Sequence, residues 1–276
     1  MRFKKVYVEI TDVCNLRCSF CHGTARPPRF LSPEEFSLLC DRLQGSTEYL
    51  YFHLMGEPLL HPALGELLKI AGQKGFRVNL TTNGMLLPRA ADTLLSAPAL
   101  HRVNLSLQAW EANENVPPLS DYVNRCAAFA RSAAAQGILI SMRLWNGGGA
   151  EQRNAEILSL LHAAFPGEWT SAQRNTVIAD RVFLEYGEKF DWPDLSADAS
   201  GAAFCRGLRD QLGVLCDGTA VPCCLDADGV LALGNLFTQS LEEILHSPRA
   251  RAIYDGFSRR VPAEELCRRC GYAARF

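Results

Sequence analysis

Three cysteines fall within eight residues, Cys14-Asn-Leu-Arg-Cys18-Ser-Phe-Cys21, close behind the apolar run Val6–Ile10. Clustered thiols bind soft metals or exchange disulfides, and the spacing separates the options. A structural zinc site takes four protein ligands, usually as two CxxC pairs. An iron–sulfur cluster held by three thiolates leaves one iron open to another ligand. Cys18-Ser-Phe-Cys21 alone also reads as a thiol–disulfide motif, which leaves Cys14 idle. A second group of thiols lies near the other end of the chain: Cys205, Cys216, Cys223, Cys224, Cys267 and Cys270. Cys40 and Cys126 stand apart inside helical patterns and read as small buried core residues.

The elements that must position these thiols alternate. Ser32-Pro-Glu-Glu35 is a helix start, with Ser32 as N-cap, Pro33 in the first turn and Glu35 completing a capping box. Phe36, Leu39, Cys40 and Leu43 share one face of that helix, and Gly45 ends it. Tyr49–Leu54 reads as a buried strand, Leu64–Gly75 as a helix and Arg77–Leu80 as a strand. Leu86–Ser96 is helical, Arg102–Leu107 a strand, Leu119–Gln136 an alanine-rich helix and Ile138–Leu144 a strand. Glu151–Phe165 is helical and Arg181–Tyr186 is a sixth strand. Strands and helices in this order imply parallel β/α units with right-handed crossovers. Six units are too few for a closed eightfold barrel. Phe190–Ala203 reads as a linker. Beyond it, Leu212–Cys216 and Ala220–Cys224 form a hairpin around Asp217-Gly218, and Leu241 to about Gly256 is a helix.

Composition bounds the function. The chain has 276 residues, 48% hydrophobic and 21% charged, as in ordinary globular proteins. Net charge is −2 with no basic block, which offers nothing to a nucleic acid. No apolar run approaches the ~20 residues of a membrane span, and Glu9 and Asp12 interrupt any leader-like start. We expect a cytoplasmic protein with no membrane and no nucleic-acid partner. In a reducing cytosol, eleven cysteines, nine of them in two groups, point to metal rather than disulfides.

The run Cys14–Cys21 resembles the CxxxCxΦC signature of radical S-adenosylmethionine (SAM) enzymes, with Phe20 as Φ. Gly56-Glu57-Pro58 is similar to that family's GGEP segment, Met55 replacing the first glycine. Cys205, Gly218, Cys223 and Cys267-Arg-Arg-Cys270 resemble the family's SPASM/twitch auxiliary-cluster domain. The chain stops six residues after the last CxxC, so the one-cluster twitch form fits. The resemblance implies an α/β fold, a partial (β/α)6 radical SAM barrel over residues 1–195 with a small C-terminal twitch domain over 196–276. It implies SAM as cofactor and two [4Fe–4S] clusters, one on Cys14, Cys18 and Cys21 and one on Cys205, Cys223, Cys267 and Cys270. Zinc on the last four remains the alternative. SAM-binding contacts are implied for Phe20, Gly56, Glu57, Pro58, Thr82, Asn83, Ser106, Gln108 and Arg143. Arg143 suits a carboxylate, which a guanidinium binds through two parallel hydrogen bonds. Cys216 and Cys224 are spare, either as substitute ligands or as core.

The implied activity is reductive cleavage of SAM to a 5′-deoxyadenosyl radical that takes a hydrogen atom from a small polar metabolite. The auxiliary cluster favours a dehydrogenase-like outcome, as in the twitch dehydrogenases of aminocyclitol biosynthesis, which this chain resembles in size and around Phe52–Leu60. The run Tyr51–Pro62 is also similar to small radical SAM lyases that salvage queuosine to queuine. A zinc-stabilised interaction module without radical chemistry is the reading from outside enzymology. A one-electron donor such as flavodoxin or ferredoxin is the implied protein partner. His53, His61, Gln108, Trp145, Asn146 and Glu185 lie near strand ends as candidate pocket residues, and loops Ala109–Pro118 and Gly147–Gly149 as specificity loops. No residue is assigned as a catalytic acid or base.

Overall fold

The computed structural model describes residues 2–149, 152–172 and 175–276. Its first part runs β1 (Lys5–Val8), α1 (Pro33–Leu43), β2 (Tyr49–Phe52), α2 (Leu64–Gln73), β3 (Arg77–Thr82), α3 (Leu87–Leu95), β4 (Leu100–Ser106), α4 (Leu119–Ala135) and β5 (Leu139–Gly147). It continues through α5 (Asn154–Ala164), a hairpin of β6 (Thr170–Ser171) and β7 (Thr176–Ala179), and β8 (Val182–Glu188). The helix start expected at Glu151 lies outside the described residues. β1, β2, β3, β4, β5 and β8 pair in parallel in that order, the six strands expected. Among the described residues β8 pairs next with β7 and not with β1, so hydrogen bonds leave the barrel open.

Alternation along the strands divides the residues cleanly, because successive side chains leave a strand on opposite faces. Val6, Val8, Leu50, Phe52, Val78, Leu80, Val103, Leu105, Ile140, Met142, Val182 and Leu184 are at most 1% exposed and join helix residues such as Leu39, Leu67, Leu94 and Val123 in one core. Their neighbours on the other face are polar or aromatic and form the barrel lumen. Local chemistry sets the ends. Ser32 accepts the Glu35 N–H while Glu35 reaches back to the Ser32 N–H, the capping box that starts α1.

The C-terminal part comprises β9 (Gln211–Val214), β10 (Thr219–Val221), β11 (Gly234–Asn235), α6 (Leu241–Leu245), α7 (Pro248–Ser258) and α8 (Glu265–Arg268). β9 and β10 form the expected hairpin, yet β9 also pairs in parallel with β1, Lys5 opposite Gln211 and Tyr7 opposite Gly213. The barrel sheet therefore runs straight into the C-terminal domain. The single helix expected from Leu241 to about Gly256 is two helices. Pro248 has no N–H to continue the first, and Ser247 caps the second by accepting the Ala250 N–H. No helix among the described residues is long and apolar enough to cross a membrane.

Candidate active site

The loop carrying Cys14, Cys18 and Cys21 leaves the C-terminal end of β1, and its thiols are exposed or half-exposed. Other elements fix its shape. Asn113, in the loop after β4, accepts the Arg17 N–H at 3.0 Å and donates Nδ2 to the Cys18 sulfur at 3.2 Å. Asn83 donates to Asn15 at 2.9 Å, and Trp192 donates its indole N–H to the Phe20 carbonyl at 2.9 Å. Burial pushes the Cys14 thiol up to about 11, against the pull of the Leu16 N–H, and Cys18 and Cys21 add to the rise. Three thiols that feel one another, with N–H donors already aimed at two of the sulfurs, fit a cluster carried as thiolates.

Gly56 sits at φ +76° with its backbone against this loop; a Cβ there would lie 2.3 Å from the Thr11 carbonyl oxygen. Glycine is needed for that approach. The Glu57 N–H then bonds the Val13 carbonyl at 2.8 Å, locking the two segments together. The Glu57 carboxylate is buried and accepts the Leu59 N–H, the Thr82 hydroxyl and the Asn83 N–H at 3.0, 2.7 and 2.8 Å. Burial raises it to about 6 while those three bonds oppose the rise. Pro58 opens the short turn that Glu57 caps. Thr82 spends its hydroxyl within this knot, also accepting the Gly84 N–H. Ser106 receives the Tyr122 hydroxyl on its carbonyl, and Gln108 is buried with Oε1 unpartnered.

Arg143 lies lower, on the lumen face of β5. Its Nε donates to Glu185 at 3.1 Å and its guanidinium stacks over Trp145 at 4.5 Å. Glu185 also accepts Ser141 at 2.8 Å and lies 3.4 Å from Arg102, which donates to Ser141 at 2.6 Å. His53 faces the same space, 5.9 Å from Tyr7 centre to centre, and Tyr7 lies 5.3 Å from Tyr51. Burial, then the charges of Arg143 and Lys5, push His53 down to about 4, so it is neutral at physiological pH. Two expected pocket residues are elsewhere. His61 is buried between the Leu31 carbonyl and the Ala63 N–H, and Asn146 is bound in a reciprocal pair with Asn154 at the start of α5.

Cys205, Cys223, Cys267 and Cys270 converge in the C-terminal domain. Burial raises all four thiols, and Cys205 adds to the rise of each of the other three. The spare cysteines have other partners: Cys216 is buried and donates to Glu9 at 3.2 Å, while Cys224 packs against the cluster of Tyr7, Leu54, Leu215 and Val221 at the lumen wall.

Sequence reading missed the Glu9 knot and most of the lumen. Glu9 is 1% exposed and holds Arg26 at 2.6 Å, the Met55 N–H and Cys216, tying the cysteine loop to both domains. A signal for the lumen was present. Lys5-Val-Tyr-Val-Glu9, Val78-Asn-Leu-Thr81, Arg102-Val-Asn-Leu-Ser106 and Ser141-Met-Arg-Leu144 alternate strictly, whereas parallel strands covered on both faces are apolar throughout.

Comparison with known proteins agrees with this geometry. Residues 8–135 match the family model of the radical SAM superfamily, and residues 205–271 match that of an iron–sulfur cluster-binding domain, SPASM. A GTP 3′,8-cyclase of Chlorobaculum tepidum is 42% identical over 110 residues, 38% of this chain and 33% of that protein. An Fe-coproporphyrin III synthase of Methanosarcina barkeri is 29% identical over 138 residues, 49% of this chain and 35% of that protein. The matched stretches thus span about a third of these curated relatives. Among solved structures, BtrN in complex with AdoMet and 2-DOIA superposes with TM-score 0.59 at 15% identity, covering 98% of this chain and 93% of that one. The AdoMet-bound anSMEcpe gives 0.65 at 14% identity, covering 98% and 86%. The cysteine loop over an open six-stranded barrel, the second thiol group and both family matches place this chain in the radical SAM superfamily, as an enzyme with a C-terminal SPASM/twitch domain that uses SAM and [4Fe–4S] clusters.

Proposed function

We propose that this enzyme abstracts a hydrogen atom from a small polar metabolite held in the barrel lumen and oxidises it. The observation that carries this reading is the Tyr7–Cys224 contact. It links the lumen wall to Cys223, one of the four converging thiols, within a sheet shared by both domains. When bound, the first cluster and SAM together supply a 5′-deoxyadenosyl radical in exchange for one electron.

The chain's own residues do the rest. Cys14, Cys18 and Cys21 hold the first cluster where a flavodoxin or ferredoxin can reach it, and Asn113 sets the Cys18 sulfur. The backbone of Gly56–Pro58, locked to the cysteine loop, frames the SAM methionine, with Phe20, Asn83, Ser106 and Gln108 around the nucleoside and Arg143 within reach of the carboxylate. Glu57 and Thr82 support that frame through their mutual hydrogen bond. His53, held neutral beside Tyr7, is placed to hydrogen-bond the substrate. Residues 1–195 and 196–276 are the two functional units, and we place the enzyme in the cytoplasm.

The test is anaerobic reconstitution with iron, sulfide, SAM and a low-potential reductant, followed by a mass-spectrometric screen of a metabolite extract. The reading expects 5′-deoxyadenosine, and a substrate that loses two mass units for each equivalent formed. A product of unchanged mass, or one split in two, replaces oxidation by isomerisation or by a lyase.

A further inference from the structure

The lumen is charged unevenly. Lys5, Arg102 and Arg143 face it from β1, β4 and β5, and Glu185 is the carboxylate that answers them, bonded to Arg143 and near Arg102. Among the described residues Lys5 is in no ion pair; its ammonium lies 5.6 Å from the centre of the Tyr51 ring, and burial lowers its pKa, with Cys224 and Glu185 pulling it back up and Arg143 pushing it further down. Two neutral groups are also left unanswered. Asn79 on β3 and Asn104 on β4 are 3% and 1% exposed, yet Oδ1 of each has no hydrogen-bond partner. A buried amide oxygen without a donor is unfavourable, so a ligand that brings donors is favoured there. The Asn104 amide nitrogen donates to the Thr81 hydroxyl at 3.1 Å.

Resting on the radical reading above, we propose that the substrate is a small hydroxylated anion, a carboxylate or a phosphate ester, whose charge is met by Lys5 and whose hydroxyls donate to Asn79 and Asn104. The charge balance carries this. Pairing Arg143 with the SAM carboxylate and Arg102 with Glu185 still leaves Lys5, at the start of β1, without an ion-pair partner. An aminated substrate would meet Lys5, a cation of its own sign, beside the already paired Arg102 and Arg143. An anion is drawn in by the same field.

The experiment uses the full chain, reconstituted anaerobically with SAM, and titrates it calorimetrically with inorganic phosphate, malonate, myo-inositol and ethylenediamine. The proposal expects one of the two anions to bind, at least tenfold more weakly to Lys5→Met and near wild-type strength to Lys5→Arg. Preference for phosphate supports a phosphate ester; preference for malonate supports a carboxylate. No binding of either anion, or binding of ethylenediamine, overturns the proposal. So does a Lys5→Met protein that keeps anion binding but loses iron, since that assigns the ammonium to the second cluster. 5′-Deoxyadenosine is measured in the same samples. Its absence from wild type sinks the radical reading, while the anion result stands or falls on the titration.

Discussion

The two cysteine groups differ in what surrounds them. Cys14, Cys18 and Cys21 sit on an exposed loop held in shape from outside, by Asn113, Asn83 and Trp192. Cys205, Cys223, Cys267 and Cys270 are buried or half-buried and come from segments far apart in sequence. A three-thiolate set on an accessible loop leaves room for another ligand on its metal. A four-thiolate set closed by its own domain does not, and it substitutes for core in a domain whose helices and strands are short. On the proposed ligand sets, one group serves exchange and the other retention.

The largest effect should come from the open group. Replacing Cys14, Cys18 and Cys21 with alanine is expected to remove 5′-deoxyadenosine formation altogether while circular dichroism and the melting temperature stay near wild type. The barrel core of Val6, Leu50, Leu80 and their neighbours does not involve these thiols. Residual SAM cleavage in the triple variant would break the comparison at its root.

Cys267→Ala should act the other way round. We expect product to disappear, solubility and melting temperature to fall, and SAM cleavage to persist within about tenfold, because a small domain loses its staple while the first site is untouched. Measuring product and 5′-deoxyadenosine separately, with iron as a control, decides it. Normal product with one cluster present would show that the closed group is neither an electron acceptor nor a necessary staple. A milder contrast is compositional: about eight iron atoms per chain after reconstitution, for two cubane clusters on seven thiolates. About four iron and one zinc would leave the open group standing and turn the closed one into a zinc site.

Much of this arrangement is legible in the sequence because it is local. The capping box at Ser32 and Glu35, the β/α alternation and the cysteine spacings are all set within a few residues, and the structure keeps them. What sequence reading missed is non-local or hidden by parity. The bond from Cys216 to Glu9 crosses 207 positions, and no spacing rule encodes it. The β6–β7 hairpin is too short and too polar to show period two. Attention to strand ends found Arg143 and Glu185 but passed over Lys5, Asn79 and Asn104. Those residues sit inside strands that look apolar until alternate positions are read separately.

The smallest effect tests how the open group is tuned. Asn113 is the side chain that reaches it from across the barrel: Oδ1 accepts the Arg17 N–H, and Nδ2 is shared between the Ala109 carbonyl at 2.7 Å and the Cys18 sulfur at 3.2 Å. Asn113→Asp keeps the shape and the acceptor for Arg17, but sets an oxygen in place of the donor to sulfur. A hydrogen bond of this kind is worth about 1 kcal/mol, so SAM cleavage should slow by roughly tenfold or less. Hydrogen bonds to sulfur also set cluster potential, so the first cluster should become harder to reduce, with the second unmoved. Redox titration followed by electron paramagnetic resonance separates the two centres. An equal shift in both, or a loss of iron without any shift, would make Asn113 a support for the loop rather than a donor that tunes its sulfur.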